Sequence, residues 1–414
     1  MKTLSKVLVL GTLMSAPALA NNCIPANEYV PFTGVAAKAN KDGDPSGPPM
    51  GSYMRISPDG KYVIRSLSGD HLTRVTVMEL RDKEGGGGKE AIAYKTDFAL
   101  EAFPVQGTWR FVNDTNGDHY LLRDVLQKQT DAKKQFKGGM TGFYATAAEL
   151  PGGTDSSRKI RSLAWPDPEK GQASLKNMEV EFKKNADGSY SKVSESSRNY
   201  MCDNLKDSDG NAFTLPMISQ DGKEFAAQPL FAKDKEKNSG IRIYEFGENL
   251  KDCKLVESTG FSASKLIFGF ARDGKKAPVT YLGASSAGGP QGVHLYDREL
   301  KRSFFIGDKS GALVAVDSFP GMTKDGRVIY GAKWNECRAA KTGSGAQKCE
   351  LKTGFVISDP NQSEDMKNYR KENPSAAIHI KECITKAEVK KVEDDQRLLY
   401  GLGSATGSAT NSVR

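Results

Sequence analysis

Short apolar strands separated by tight turns recur along the chain and predict a structure made of β-strands. The segment Arg55–Ser66 shows the unit: an apolar strand end, the turn Ser57–Lys61 (SPDGK), and a second strand in which apolar residues alternate. Pro and Asp favour the opening of a turn, and Gly adopts the positive φ that a later turn position requires. The pattern therefore predicts a β-hairpin at this point.

The same turn recurs at a regular interval. Asp-Gly turns followed by apolar strands stand at four places, namely Asp59-Gly60, Asp221-Gly222, Asp273-Gly274 and Asp325-Gly326. Their Asp positions differ by 162, 52 and 52 residues, and 162 is three times 54, so one period of 52 to 54 residues fits all four. An all-strand repeat of this length is typical of a propeller blade. We expect an all-β protein, a β-propeller of six blades or five with a short C-terminal helix, in which these turn residues are structural.

The strand pattern is clear in the first blade and after residue 211, and weaker between them. For the second blade it predicts strands over 108–112, 119–123, 142–147 and 159–163. Between Trp165 and Asn211 no full blade is evident. The last blade has three strands, and its fourth is either Ala377–Lys381 or Tyr29–Phe32. Either choice would pair the two ends of the chain and remove an exposed strand edge.

The two ends of the chain differ from the repeats. Residues 1–20 combine Lys2 and Lys6 with an apolar run and the small-residue end Ala18–Ala20, which predicts an export signal peptide. The further expected segments are an N-terminal extension at 21–50, the propeller at 51–383, a C-terminal helix at 384–400 and a disordered tail at 401–414. The helix begins at a capping box, Thr385–Glu388. We expect a periplasmic or secreted protein without membrane insertion, since no later apolar run has the length of a transmembrane helix.

The charge balance excludes one class of partner. The formal net charge of +8 falls to +6 when Lys2 and Lys6 of the signal peptide are removed. Basic and acidic residues are interleaved in a chain that is 27% charged, so no basic stripe is evident. We therefore expect no nucleic-acid partner, and the oligomeric state is left open.

Six cysteines in an exported chain favour disulfides over metal binding. Three pairs are predicted: Cys337–Cys349, Cys202–Cys253 and Cys23–Cys383. The first pair flanks a polar loop between two apolar strands, the second lies one repeat apart, and the third is what remains near the two ends of the chain. No pair has the spacing of a zinc ribbon, a thioredoxin site or a haem attachment.

Candidate catalytic residues are few, and each has a structural explanation. Ser286 lies in the sequence ASSAG, which is similar to a nucleophile elbow, but that motif requires a strand-to-helix turn and this one joins two strands. None of the four histidines, His71, His119, His294 and His379, has metal-ligand spacing from another. We therefore predict no catalytic residue and no metal ligand.

Two acidic loops carry oxygen ligands of the kind that calcium takes, Asn113–Asp118 and Asp207–Gly210. Neither has the spacing of an EF-hand loop, and Asn and Asp also form tight turns by bonding their own backbone. We predict no cofactor, with a calcium-stabilised structural protein as a further alternative. Trp109 and Trp165 are 56 residues apart, and they either fill the core between blades or face the central funnel, where they would contact a glycan or peptide.

The repeats resemble a known family. The Ser57–Lys61 turn with its following strand, and later strands such as Ile243-Tyr244 and Leu295-Tyr296-Asp297, are similar to the TolB-type (PD40-like) propeller repeat of bacterial exported proteins. The similarity covers the four turns and the blades from 211 to 360, is weaker from 90 to 210, and is absent from the ends. It implies the fold but no single function, because such propellers serve as periplasmic binding scaffolds, enzyme domains and lectin-like modules. The peptidase relatives carry a separate hydrolase domain, for which this chain has no room.

These observations together predict an exported, non-catalytic propeller that acts by binding. The expected partner is an envelope protein or peptide, docked on one face or in the axial channel where loops from every blade converge. The alternative is an exported hydrolase or lyase that acts on glycans or peptides, which would need paired carboxylates in the channel. The sequence does not identify the binding residues.

Overall fold

The structure, a computed structural model of the 414-residue chain, consists mostly of β-strands. It describes residues 22–31, 53–57, 60–68, 73–85, 88–99, 102–104, 111–113, 119–121, 145–149, 156–164, 175–184, 186, 190–200, 217–227, 240–247, 253–284, 292–306, 313–314, 320–339, 347–376 and 380–399. The predicted signal peptide at 1–20 and the predicted tail at 401–414 lie outside these residues.

The described strands form five sheets of four or five strands and a separate two-stranded ladder. Strand β1 (Asn27–Pro31) comes first in the chain and joins the fifth sheet. The first sheet has the order β2-β3-β4-β5 and consists of β2 (Tyr53–Ile56), β3 (Tyr62–Ser68), β4 (Thr73–Asp82) and β5 (Lys89–Ala99). The next strands are β6 (Ala102–Pro104), β7 (Phe111–Asn113), β8 (His119–Leu121), β9 (Ala145–Glu149), β10 (Ser157–Ala164), β11 (Leu175–Lys184) and β12 (Tyr190–Tyr200). Strands β7 and β8 pair with each other, and the other five form the second sheet in the order β12-β11-β10-β9-β6.

Three further sheets follow in chain order. The third contains β13 (Met217–Ile218), β14 (Glu224–Ala227), β15 (Arg242–Phe246) and β16 (Cys253–Ser258). The fourth contains β17 (Ser262–Phe268), β18 (Val279–Ala284), β19 (Gly292–Asp297) and β20 (Arg302–Phe305). The fifth contains β21 (Leu313–Val314), β22 (Gly321–Met322), β23 (Val328–Ala339) and β24 (Gln347–Ser358) together with β1. Its order is β1-β24-β23-β21, and β22 also pairs with β23.

One strand of each of the five sheets contacts a strand of a neighbouring sheet. Strand β13 of the third sheet contacts β9 of the second and β17 of the fourth, and β17 contacts β22 of the fifth. Strand β22 in turn contacts β2 of the first sheet. The succession therefore runs from the second sheet to the fifth and returns to the first, as expected when sheets are placed around an axis. The number of blades in the whole chain stays a prediction.

Within the described residues, three apolar cores lie between neighbouring sheets. One joins the third and fourth sheets and includes Ile243 and Phe268, another joins the fourth and fifth and includes Phe304 and Val356, and a third joins the fifth and first. Because the fourth sheet is covered on both faces by its two neighbours, its strand β19 is buried over five consecutive residues. Such strands read as continuous apolar runs in the sequence, without strict alternation.

The second sheet differs from the sequence prediction. The expected strands over 108–112 and 119–123 are the short ladder β7-β8, and they do not join β9 and β10. Strands β9 and β10 continue instead into β11 and β12, in the region where no blade was expected. These strands carry polar cross-strand pairs such as Arg161 with Glu179, which stabilise a sheet but leave a weak apolar pattern.

The fifth sheet is closed by an early strand. Strand β1 pairs with β24 antiparallel, from Asn27 opposite Ser358 to Pro31 opposite Gly354. This confirms the predicted strand near Tyr29. Of the competing prediction at 377–381, residues 377–379 lie outside the described residues, and Ile380 and Lys381 are not in a strand. A side chain at Gly354 would meet the Val30 carbonyl oxygen at 2.0 Å, so this close pairing requires glycine.

A polar cluster and a disulfide hold the two ends of the described chain together. Cys23 is bonded to Cys383, and the Ile24 N–H donates to the Ile384 carbonyl at 2.9 Å. Asp359, fully buried, accepts from the Ile384 N–H at 2.7 Å, and its own N–H donates to the Ala26 carbonyl at 3.0 Å. We call this group of contacts the clasp.

Two helices follow the last sheet. Helix α1 (Glu364–Glu372) was not anticipated, and it contacts the outer strand β20, whose Phe305 N–H donates to Asp365 at 2.9 Å. Helix α2 (Lys386–Leu399) lies within the predicted range. Its capping box is present, since Thr385 N–H donates to the Glu388 carboxylate at 3.0 Å and the Glu388 N–H donates to the Thr385 hydroxyl at 3.3 Å. Neither described helix is long and apolar enough to cross a membrane.

Candidate protein-docking face

The four Asp-Gly turns occupy equivalent places in four sheets. Each connects two strands that are consecutive in the chain and paired in one sheet: β2 to β3, β13 to β14, β17 to β18, and β22 to β23. Residues 57–61, 219–223, 271–275 and 323–327 form these turns, and we call the surface that they build the turn face. Pro58 and Asp59 lie outside the described residues.

Three of the turns close in the same way. The backbone N–H of Gly60, Gly222 and Gly326 donates to the carbonyl three residues earlier, at 2.9, 3.0 and 2.9 Å. The three glycines have φ of 75°, 70° and 97°, in the left-handed region that glycine favours. A larger residue would therefore strain each turn.

An Asp side chain locks two of these turns from within. The Asp221 carboxylate accepts from the Ser219 hydroxyl at 2.6 Å and from the N–H two residues later at 3.1 Å. Asp325 makes the same two contacts, with the Thr323 hydroxyl at 2.6 Å and the N–H two residues later at 3.1 Å. Asp325 is buried, and the Arg327 guanidinium also donates to it at 2.8 Å. Both carboxylates therefore serve their own turn.

The turn of the fourth sheet, at residues 271–275, has another geometry. Asp273 and Gly274 both have positive φ, 51° and 73°, and the Lys275 N–H donates to the Arg272 carbonyl at 2.8 Å. Two successive positive φ values define a type I′ turn. The turn is thus displaced by one residue from its three counterparts, although the dipeptide is the same.

Side chains connect the turn of the third sheet to both of its neighbours. Arg161 on β10 donates to the Gly222 carbonyl at 2.7 Å, which connects the second sheet to the third. The Gln220 amide donates to the Phe268 carbonyl at 2.7 Å, which connects the third sheet to the fourth. Each bond ends on a backbone carbonyl, so it fixes the position of the strand as well as that of a side chain.

The remaining connections continue around the same surface. Arg272 donates to the Lys324 carbonyl at 3.0 Å, which joins the turns of the fourth and fifth sheets. A Cβ at Gly60 would meet both Arg327 Nη2 and Thr323 Cγ2 at 3.0 Å, so the turn of the first sheet packs directly on that of the fifth. The turns thus form one connected surface.

A buried ion-pair cluster connects the third and fourth sheets beneath this surface. The fully buried Arg298 side chain donates to Glu224 at 2.7 Å and to Glu257 at 2.8 Å. The Tyr296 hydroxyl donates to Glu257 at 2.7 Å. Burial acts to lower the pKa of Arg298, but its two carboxylate partners raise it above the ordinary value. Burial and Glu257 both raise the pKa of Tyr296. We call this group the Arg298 cluster, in which one cation is shared by two carboxylates.

His294 is a core residue. It lies 1% exposed on β19, stacks on Tyr281 with ring centroids 5.0 Å apart, and contacts Phe305 edge-on at 5.4 Å. Burial raises the pKa of Tyr281 to about 12. The arrangement is an aromatic stack across the fourth sheet, and it does not place His294 on the surface.

Several predicted candidates fall on the undescribed part of the chain. His119 pairs opposite Asn113 in the β7-β8 ladder, which closes the first acidic loop. The others lie outside the described residues: His71, His379, Ser286, Trp109, Trp165 and Asp207–Gly210. Over the residues that the structure describes, no three His, Cys, Asp or Glu side chains are grouped to hold a metal ion.

The predicted disulfides are placed as follows. Cys337 is bonded to Cys349, and Cys23 to Cys383, as predicted. Cys253 is also in a disulfide, but its predicted partner Cys202 lies outside the described residues. The Cys202–Cys253 pairing therefore stays a prediction.

The connections between turns were missed by the sequence reasoning, although a signal exists. In SQDGK, ARDGK and TKDGR the residue before Asp is a long polar one: Gln220, Arg272 and Lys324. The first two reach a carbonyl of the next sheet, and the Lys324 ammonium lies 6.0 Å from the Phe270 ring centroid. In these three turns the residue before Asp-Gly thus indicates contact with a neighbouring sheet.

Comparison with known proteins gives similarity to solved structures alone. No protein-family model matches the chain, and no curated protein matches it. A solved structure of the major Malassezia sympodialis allergen Mala s 1 is 9% identical, with 73% of this chain and 78% of that chain covered and a TM-score of 0.27. Kluyveromyces lactis Hsv2 is 11% identical, over 73% and 97%, with a TM-score of 0.28. A structure of the Dos1 propeller is 10% identical, over 73% and 76%, with a TM-score of 0.29. At these TM-scores the similarities carry no further conclusion.

Proposed function

We propose that the protein is an exported, non-catalytic β-propeller scaffold of TolB-type repeats that binds an envelope protein or peptide through its turn face. One observation carries the proposal: side chains of Arg161, Gln220 and Arg272 fix the turns of neighbouring sheets to one another. A surface that is already ordered loses little conformational entropy when a partner binds. Binding residues commonly lie on loops that a rigid scaffold positions, and here rigid sheets present turns from several repeats to a partner.

The turn face also presents side chains to a partner. Lys223 and Lys275 are exposed there, together with Asp221 and Asp273, and Lys276 is exposed directly after the turn of the fourth sheet. Charged groups at the rim of an interface direct encounter and select a complementary partner. We therefore expect a partner whose acidic groups lie opposite these three lysines.

Export is supported by the two described disulfides and by the signal peptide predicted at 1–20. Disulfides persist in oxidising compartments such as the bacterial periplasm. We therefore infer a periplasmic or secreted location.

The alternative of a hydrolase or lyase would need carboxylates free to exchange protons. Glu224 and Glu257 come close together, but both are bound to Arg298. Through Arg298, these two carboxylates of the third sheet connect it to the fourth sheet. This structural role supports the scaffold interpretation for this part of the molecule.

The proposal is tested by retention of envelope proteins on the immobilised protein. We expect Lys275→Glu to reduce the retained amount of a specific envelope protein at least about tenfold, which corresponds to about 1.4 kcal/mol. Lys367→Glu on helix α1 is the matched control, because it reverses another exposed lysine away from the turns. Equal retention by the two variants would contradict docking on the turn face.

A further inference from the structure

The distal part of the β23-β24 hairpin extends beyond its sheet. Among the described strands, β1 pairs with β24 only as far as Gly354, and β21 pairs with β23 only as far as Lys333. Beyond these points, Trp334–Ala339 and Gln347–Lys352 pair with each other and with no further described strand. We call these two segments the arm. Trp334, at its base, contacts the Tyr29 ring of β1 with centroids 5.1 Å apart.

A disulfide joins the two strands of the arm at its surface. Cys337 and Cys349 lie directly opposite each other, with Cα atoms 3.9 Å apart, and both are exposed. Asn335 and Leu351 form the opposed pair two residues away, so they share the face of the disulfide. Leu351 is 60% exposed and carries no charge. An incoming group can therefore reach the sulfur atoms over this uncharged face.

The charged residues of the arm lie on its other face. Glu336 and Glu350 are opposite each other in the register and adjacent to the cysteines, so their side chains point away from the disulfide. Lys352 contacts Glu350 at 2.8 Å and Glu336 at 3.9 Å. These carboxylates are thus held by a cation, which reduces their repulsion of an approaching thiolate.

The clasp disulfide has a different setting. Cys23 and Cys383 are partly buried, and their neighbours Ile24 and Ile384 are joined by a backbone hydrogen bond at 2.9 Å. Ile384 is 1% exposed. An attacking group would have to displace this packing, whereas Cys337 and Cys349 of the arm are exposed.

We propose that Cys337–Cys349 is a thiol–disulfide exchange site whose partner is a dithiol, such as the reduced active site of a thiol oxidoreductase. A thiolate of the dithiol attacks one sulfur, the Cys337–Cys349 bond breaks, and the other cysteine leaves as a thiolate that takes up a proton. The second thiol of the dithiol then attacks the mixed disulfide and releases the first cysteine. Two electrons and two protons pass to the arm, and the dithiol becomes a disulfide.

The site is built to re-form. The strands that carry the cysteines are fixed at their base, where Val328–Ala332 pairs with Gly354–Ser358 and both segments are buried. Reduction leaves this ladder in place, so the two reduced cysteines stay tethered near each other. A two-stranded hairpin without other support is marginal in water, and the reduced arm therefore frays at its tip while the sheets remain folded.

The test is timed reduction of the folded protein with dithiothreitol as the dithiol probe. Thiols are trapped with N-ethylmaleimide and assigned by peptide mass spectrometry, and far-ultraviolet circular dichroism monitors the fold. We expect Cys337 and Cys349 to be labelled at least about tenfold faster than Cys23 and Cys383, with an unchanged spectrum of the sheets. Equal labelling rates, or labelling of the arm only together with loss of the fold, would overturn the proposal.

Two variants test the approach over the uncharged face. Leu351→Asp places a negative charge about 7 Å from the disulfide, and Coulomb repulsion in water at that distance slows attack by a thiolate about threefold. Val193→Asp is the control, because Val193 is exposed to a similar extent, 57%, in the second sheet. Identical reduction rates for the two variants would show that the attack does not pass over Leu351.

Discussion

Replacing Arg298 by Met tests how the third and fourth sheets are held together. The Arg298 side chain is fully buried and contacts Glu224 at 2.7 Å and Glu257 at 2.8 Å. Methionine keeps much of the aliphatic volume and removes the charge, so the change leaves two carboxylates without their cation. Removing one partner of a buried ion pair typically costs about 3–5 kcal/mol.

The burial of Glu224 and Glu257 determines how much free energy of unfolding the Arg298→Met variant loses within that range. Glu224 is 22% exposed and regains water, whereas Glu257 is 7% exposed and does not. The Tyr296 hydroxyl continues to donate to Glu257 at 2.7 Å and offsets part of its burial. We therefore expect a loss near the lower end, about 3 kcal/mol in the free energy of unfolding.

Urea unfolding followed by circular dichroism at neutral pH measures this loss. The triple variant Arg298→Met with Glu224→Gln and Glu257→Gln is the control, since it removes the carboxylate charges together with the cation and should recover most of the stability. Because the cluster is buried, the loss should be the same at low and at physiological salt. An Arg298→Met protein within about 1 kcal/mol of the wild type would refute the claim that this cluster connects the sheets.

Three further predictions concern the clasp, helix α2 and the fourth sheet. Cys23→Ser with Cys383→Ser should lower the free energy of unfolding by about 2–5 kcal/mol in urea titration, because the bond closes a loop with a sequence separation of 360; an unchanged midpoint would contradict a role in closure. Burial alone would raise the pKa of Glu388, but hydrogen bonds from Lys381 and Thr385 hold it below its ordinary value. Its stabilisation is therefore present above about pH 4.5 and lost as pH falls through the lower folded pKa; Glu388→Gln should remove this component from an acid titration by circular dichroism, and an unchanged acid profile would count against it. The pKa of Tyr281 is about 12, above the unfolded value near 10, so its stabilisation is full below about pH 10 and is lost as pH rises towards 12. Tyr281→Phe should remove this dependence in alkaline urea titration, and the same alkaline slope in both proteins would argue against it.

Local sequence signals predicted those parts of the fold that short segments determine. The Asp-Gly dipeptides predicted turns because glycine adopts positive φ there, and Gly60, Gly222 and Gly326 do so. The capping box at Thr385 predicted a helix start because both of its hydrogen bonds lie within one turn. The apolar segment at Tyr29 was recognised as a strand that fits the last sheet.

Parts that depend on distant contacts were not predictable in the same way. In the second sheet the strand at 159–163 was predicted, but the assembly of β9 to β12 into one sheet was not, because polar cross-strand pairs such as Arg161 with Glu179 leave no apolar pattern that links them. Helix α1 has an N-cap at Ser363 and Asp365 in its first turn, and it is stabilised by its contact with β20. The Arg298 cluster joins residues 74 and 41 positions apart, a separation that no local pattern reveals.

Site-specific photo-crosslinking in the native cell envelope tests the central claim most directly. A benzophenone side chain at Lys275 lies on the turn face, and the same probe at Lys367 lies on helix α1. The proposed scaffold function predicts a defined protein adduct at Lys275 and none of that mass at Lys367. Absence of any adduct at Lys275, or the same adducts at both positions, would contradict docking of an envelope partner on the turn face.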